Sequence, residues 1–177
     1  MVVVLETRRL LFEPFTIDDL PLLIKLHGDA EVQRYLGGHW TSEAVERNLR
    51  QQIYDQQEVG FSKWKVTLRG GEFIGKAGIQ PFPREGAMRG AENEMGCALL
   101  PSGWGKGIAT ETAGAIMDWY FEMTNFDVLA AFAEPQNIAS QAVLRKLGFS
   151  FVGVHDIGTY VPHNVFRIER WQAQRHT

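Results

Sequence analysis

Apolar and polar positions along the chain alternate with two different periods, and their order outlines the elements. "RRLLFEPF" (Arg8–Phe15) predicts a short first strand closed by Pro14. Thr16 with Asp19 forms a capping-box-like start, and Leu20, Leu22, Leu23 and Leu26 supply a helical stripe. A break at "LGGHW" precedes a second helix, polar on most faces, from about Thr41 to Gln57. "FSKWKVTL" and "EFIGKAGIQPF" read as strands joined by a turn at "RGGE" (Arg69–Glu72), and "NEMGCALL" as another after the polar loop "PREGAMRGAEN". A long helix then buries Ile108, Ile116, Met117, Tyr120 and Phe121. After the strand "DVLAAFA", a further helix ends at Lys146 with Gly148 as its C-terminal cap, and "FVGVHDIG" and "NVFRIERW" close as an antiparallel pair. The order is strand, two helices, three strands, helix, strand, helix, two strands. That order predicts an α+β fold with one mixed central sheet and no regular βαβ alternation.

Composition narrows this further. With 177 residues and 45% hydrophobic content, the chain suits a single domain over 1–177. A net charge of −3 and a pI near 6.0 carry neither the basic surplus nor the basic stripe of a nucleic-acid binder. Cys97 is the one cysteine, so an internal disulfide or a cysteine-based metal site is excluded. The start "MVVVLETRRL" lacks the order of a signal peptide, and no apolar run has the length of a membrane span. The expected setting is the cytoplasm, with no membrane partner. His27, His39, His155, His163 and His176 show no metal-ligand spacing, and no metal is expected.

The chemistry concentrates in "SGWGKGIATETAG" (Ser102–Gly114), where three glycines run into a helix. Glycines that free backbone N–H groups at a helix start usually bind phosphate. A P-loop would need Ser or Thr after Gly105-Lys106, and Gly107 stands there. A dinucleotide fingerprint would need a third small residue where Ile108 or Thr110 falls, and it would follow a parallel strand.

Trp104-Gly105-Lys106-Gly107-Ile108-Ala109 instead resembles the pyrophosphate loop Q/R-x-x-G-x-G/A of the GNAT-superfamily N-acetyltransferases, departing only at Trp104. "WGKGIATE", "TRRLLFEPFTIDDL", "DAEVQRYLGG" leading to "TSEA", "EFIGKAGI" and "NIASQAVLRKLGF" are similar to the RimJ/RimL-like branch, over nearly the whole chain and in the right order. The resemblance implies a mostly antiparallel sheet flanked by helices and splayed between the fourth and fifth strands. It also implies acetyl-CoA as co-substrate, bound without a metal, and a primary amine as acceptor, either a protein N-terminus or a small molecule. Such proteins occur as monomers or homodimers.

Residue by residue, the resemblance places the pyrophosphate on Trp104, Gly105, Lys106, Gly107, Ile108, Ala109 and Thr110, and the pantetheine arm along Ala98, Leu99 and Leu100. A backbone N–H near Leu99 or Leu100 would polarise the thioester carbonyl. Asn137 would contact the pantetheine or cap its own helix, and Lys146 (or Arg145) would reach a CoA phosphate or stabilise the helix end. Glu94 is the first candidate for the general base and Glu92, two residues away, the second; a solvated edge carboxylate is the alternative reading of Glu94. The tyrosine acid of many superfamily members is Leu144 here, which leaves Ser140, one helical turn earlier, as the proton donor candidate. Tyr35 and Trp40 border the loop that lines the acceptor entrance in relatives. Cys97, between Gly96 and Ala98, reads as a small core residue. The absent tyrosine leaves a second class open, a non-catalytic acyl-CoA-binding module. The acceptor is not legible, since no run of carboxylates marks a polycation site.

Overall fold

The computed structural model describes residues 3–36, 40–82, 92–157 and 161–173. The chain opens with β1 (Leu5–Glu6) and β2 (Leu10–Glu13), followed by α1 (Leu20–Gly28), α2 (Ala30–Gln33) and α3 (Ser42–Glu58). Next come β3 (Lys63–Leu68), β4 (Phe73–Pro81), β5 (Asn93–Leu99), α4 (Ile108–Met123), β6 (Val128–Ala133) and α5 (Ile138–Lys146). β7 (Ser150–His155), β8 (His163–Glu169) and α6 (Arg170–Ala173) complete it. One eight-stranded sheet results, in the order β1-β2-β3-β4-β5-β6-β8-β7. Its pairings are antiparallel except β5 with β6.

Local chemistry sets the helix starts. Thr16 N–H donates to Asp19 Oδ2 at 2.9 Å, the expected capping box, but it closes a 3₁₀ turn over Ile17–Asp19 before α1 begins. Asp29 Oδ1 accepts from the N–H groups of Glu31 and Val32 and starts α2; Thr41 caps α3 at Ala44 N–H. Gly148, at φ +86°, ends α5 as expected. The pattern missed β1, α2 and α6. Each is two to four residues long, too short for a period to register.

The period of two along the strands sorts side chains into two layers. On one face Trp64, Val66, Ile74, Ile79, Met95 and Leu99 meet Ile108, Ile116, Met117 and Tyr120 of α4. On the other, Ala98 and Leu100 pack with Leu23 and Leu26 of α1 and Val45 and Leu49 of α3. Along β5, odd positions therefore serve α4 and even positions serve α1 and α3. Glu94 and Gly96 fall on the α1/α3 face.

β5 and β6 pair only at Glu94 with Ala130 and Met95 with Ala131. Beyond Met95 the two strands part, which is the expected splay. It stands between the fifth and sixth strands because Leu5–Glu6 adds one at the edge.

Candidate active site

The turn entering α4 takes a shape that only glycine adopts at low cost. Gly105 has φ +69° and Gly107 φ +72°, and Gly107 is the N-cap residue of α4. No side chain caps the helix, so the first-turn N–H groups and the positive end of the dipole point outward. A β-carbon on Gly107 would meet only the Arg9 guanidinium, at 3.8 Å. The glycine thus answers to backbone conformation rather than crowding. Arg9 braces the turn from the N-terminal strand. Its Nη1 donates to the Lys106 carbonyl at 2.9 Å, and its Nε pairs with Glu111 at 2.6 Å. Burial works to raise the Glu111 carboxyl, but hydrogen bonds from Thr7 and Arg9 prevail and hold it below the usual range. Sequence reasoning missed Arg9, because nothing in "TRRLL" shows which arginine turns toward a helix about a hundred residues on.

The strand before the turn differs in detail from expectation. Leu100 N–H donates to the Ile74 carbonyl at 2.8 Å, so its amide is committed to β4. By the period of two, Ala98 turns its backbone to β4 as well, opposite Lys76. Main-chain groups facing the open gap belong to Cys97 and Leu99 instead. Of the expected trio Ala98, Leu99 and Leu100, only Leu99 has its backbone N–H on the side of the gap between the strands. Trp104, 43% exposed, holds the Leu99 carbonyl through its indole N–H at 2.8 Å. Lys106 Nζ binds the Ser102 carbonyl at 2.8 Å, tightening the turn from within. Cys97 is exposed and is not the buried core residue expected from its neighbours, because β6 has diverged at that level.

On the α1/α3 face Glu94 is 2% exposed and accepts from Lys63 Nζ at 3.2 Å. It is therefore no solvated edge carboxylate. Lys63 reaches it by lying over Gly96, where a β-carbon would stand 2.6 Å from Lys63 Nζ. Glu92 lies just before β5 and is exposed. Behind Glu94 a buried polar chain links the helices to the sheet. Lys76, 7% exposed, donates to Asn48 Oδ1 at 3.1 Å, and Gln52 Nε2 donates to the same oxygen at 2.6 Å. Lys76 also sits 5.6 Å from the Trp40 ring centroid, and that ring stacks on His27 at 4.5 Å. Burial, helped by the charges of Lys76 and Lys63, pushes His27 down to about 3, so its ring is neutral. Trp40 therefore belongs to this polar layer, while Tyr35 is half-buried in the turn after α2.

At the start of α5, Asn137 Oδ1 accepts from Ser140 N–H at 3.0 Å, the helix-cap geometry. Ser140 is half-buried in the first turn. Leu144, at the position of the superfamily's tyrosine, follows one turn later. It is 5% exposed in the main core, where an apolar side chain belongs. Lys146 is exposed in the last turn, and Arg145 bonds Gln141 and stacks on Phe166. His39 and His176 lie outside the described residues. Among the described residues no group of His, Cys, Asp and Glu is placed to hold a metal ion, and no helix is long and apolar enough to cross a membrane.

Comparison with known proteins connects this geometry to a family. The model of the acetyltransferase (GNAT) domain matches residues 9–150. Over 147 residues the chain is 31% identical to spermidine N(1)-acetyltransferase of Escherichia coli K12, spanning 79% of this chain and 72% of that protein. An acetyltransferase of Agrobacterium tumefaciens superposes with a TM-score of 0.81 at 25% identity, covering 95% of both chains. A ribosomal L7/L12 α-N-protein acetyltransferase solved with coenzyme A gives 0.76 at 19% identity, covering 95% of this chain and 98% of that one, and attests the fold.

Proposed function

The chain belongs to the GNAT acetyltransferases, enzymes that carry an acetyl group from acetyl-CoA to an amine, and from that membership we propose how its residues divide the work. The observation that carries the reading is the uncapped start of α4, set behind Gly105 and Gly107 at the mouth of the gap between β5 and β6. A pyrophosphate accepts from the N–H groups of Gly107, Ile108, Ala109 and Thr110, with Trp104 and Lys106 holding the turn's shape. The pantetheine arm lies in the gap along Leu99 and Cys97, with Asn137 and the first turn of α5 on the far side. Lys146 serves the helix end.

Transfer is direct, within a ternary complex. The amine nitrogen attacks the thioester carbonyl carbon from the α1/α3 face, and the carbon–sulfur bond breaks. Glu94 takes the amine proton, directly or through one water, and Ser140 donates a hydrogen bond to the departing sulfur or relays a proton from water. An amine is mostly protonated near neutral pH, so a buried carboxylate at its entrance both attracts and deprotonates it. Lys63 must yield its place on Glu94 for this to occur. Glu92, exposed at the rim, together with Tyr35 and Trp40, borders the acceptor's approach. The setting is cytoplasmic and the protein is a monomer or homodimer.

The test is release of free CoA thiol from acetyl-CoA, stimulated by added amine and followed by mass analysis of the acetylated product. Binding of CoA without amine-dependent thiol release would leave only a binding module.

A further inference from the structure

The groups around Glu94 say which amine is welcome. On the α1/α3 face this carboxylate pairs with Lys63, and Lys76 stands on the neighbouring strand β4, opposite Ala98. Among the described residues no carboxylate lies within ion-pair distance of Lys76; its partners are the Asn48 side chain and the face of Trp40. The next lysine on the sheet shows the contrast. Lys65, opposite Lys76 in register, is neutralised by Asp19 at 3.0 Å and Glu13 at 4.0 Å. It lines a cleft of about 840 Å³ that also carries Lys25, Arg69, Asp29 and Glu72. Lys63, by contrast, has Glu94 as its one ion-pair partner among the described residues.

When an acceptor ammonium takes Lys63's place on Glu94, Lys63 loses its counter-charge. The site then holds that ammonium and Lys63 around one carboxylate. A polycation adds further charge to this surplus. An amine carrying its own anion supplies the missing partner.

Resting on the reading of Glu94 as the base, we propose that the acceptor is an amine bearing a carboxylate or similar anion within about one side-chain length of the reacting nitrogen, and that Lys63 is the residue that receives this anion. Spermidine is a poor acceptor by the same reasoning.

Two benzylamines differing only across the ring, 4-(aminomethyl)benzoate and 4-(aminomethyl)benzamide, have similar amine basicity and test the charge alone. Tripeptides with Asp, Asn or Lys after the N-terminal residue do the same for an α-amine, and spermidine completes the panel. The expected result is a kcat/KM about tenfold higher for the anionic member of each pair, shrinking as salt is raised. In Lys63→Gln the preference falls to about one, whereas a merely structural lysine would lower all rates and leave the ratio intact. The salt dependence needs no variant, so a poorly folded Lys63→Gln does not remove the test. A ratio of one in the wild-type protein, or spermidine as the best acceptor, overturns the acceptor class and leaves the acetyltransferase reading standing. Thiol release with none of these amines overturns both.

Discussion

Replacing Lys76 with Met should stabilise the protein at neutral pH, because the lysine is buried without an ion-pair partner among the described residues. Burial, and after it the charge of Lys63, pulls its ammonium down from 10.5 to about 7, with Glu94 opposing. In the unfolded chain the amine stays protonated to its ordinary value. Between pH 7 and 10.5 the unfolded state therefore binds more protons than the native state, and stability rises with pH across that window. At pH 7 the charging penalty is on the order of 4 kcal/mol. Methionine matches the length of the lysine stem, and Asn48 Oδ1 keeps its bond from Gln52 at 2.6 Å, so no acceptor is stranded. Allowing for the lost contact with Trp40, a gain of about 2 kcal/mol is expected, or roughly 4–8 °C in Tm for a chain of this size. The assay is urea unfolding of both proteins at pH 7 and pH 9. The wild type should recover about 2 kcal/mol relative to Lys76→Met over that interval. Groups common to both proteins cancel in the difference, and His27, neutral throughout, does not contribute. Parallel pH curves, or a destabilised Lys76→Met at pH 7, would refute the reasoning.

Other expectations concern the site. Gly107→Val forces a β-branched residue to φ +72°, costing about 1–2 kcal/mol, and should weaken CoA binding strongly in calorimetry; unchanged affinity in a folded variant removes the pyrophosphate from this turn. Arg9→Met frees the Lys106 carbonyl and Glu111, so CoA affinity should drop several-fold while the amine KM stays put. Glu94→Gln should lower kcat about 10²–10⁴-fold with little change in CoA affinity, and a variant that stays active across the pH range moves the base to Glu92 or water. Ser140→Ala should slow transfer modestly from acetyl-CoA and less from a thioester with a more acidic thiol; equal losses with both would reassign the serine to positioning.

The elements of this protein were largely legible from its sequence, because they answer to local physics. Period-two and period-3.6 patterns located most strands and the long helices, and Thr41, Asn137 and Gly148 cap helices by rules that involve only near neighbours. The glycine turn was legible for the same reason, since Gly105 and Gly107 declare a backbone that other residues avoid. The tertiary structure alone decided what stands around the reacting groups. Glu94 and Lys63 are thirty-one positions apart and meet only because β3, β4 and β5 lie side by side, with Gly96 leaving room for the lysine side chain. Whether a strand peptide faces β4 or the open gap depended on register, so Leu99 and Cys97 could not be told from Ala98 and Leu100 in advance. Leu144 and Lys76 show the same limit from opposite sides. A side chain's chemistry is written in the chain, but its partners and its solvent come from residues far away in sequence, and these determine whether a leucine lines a cleft and what charge a lysine carries.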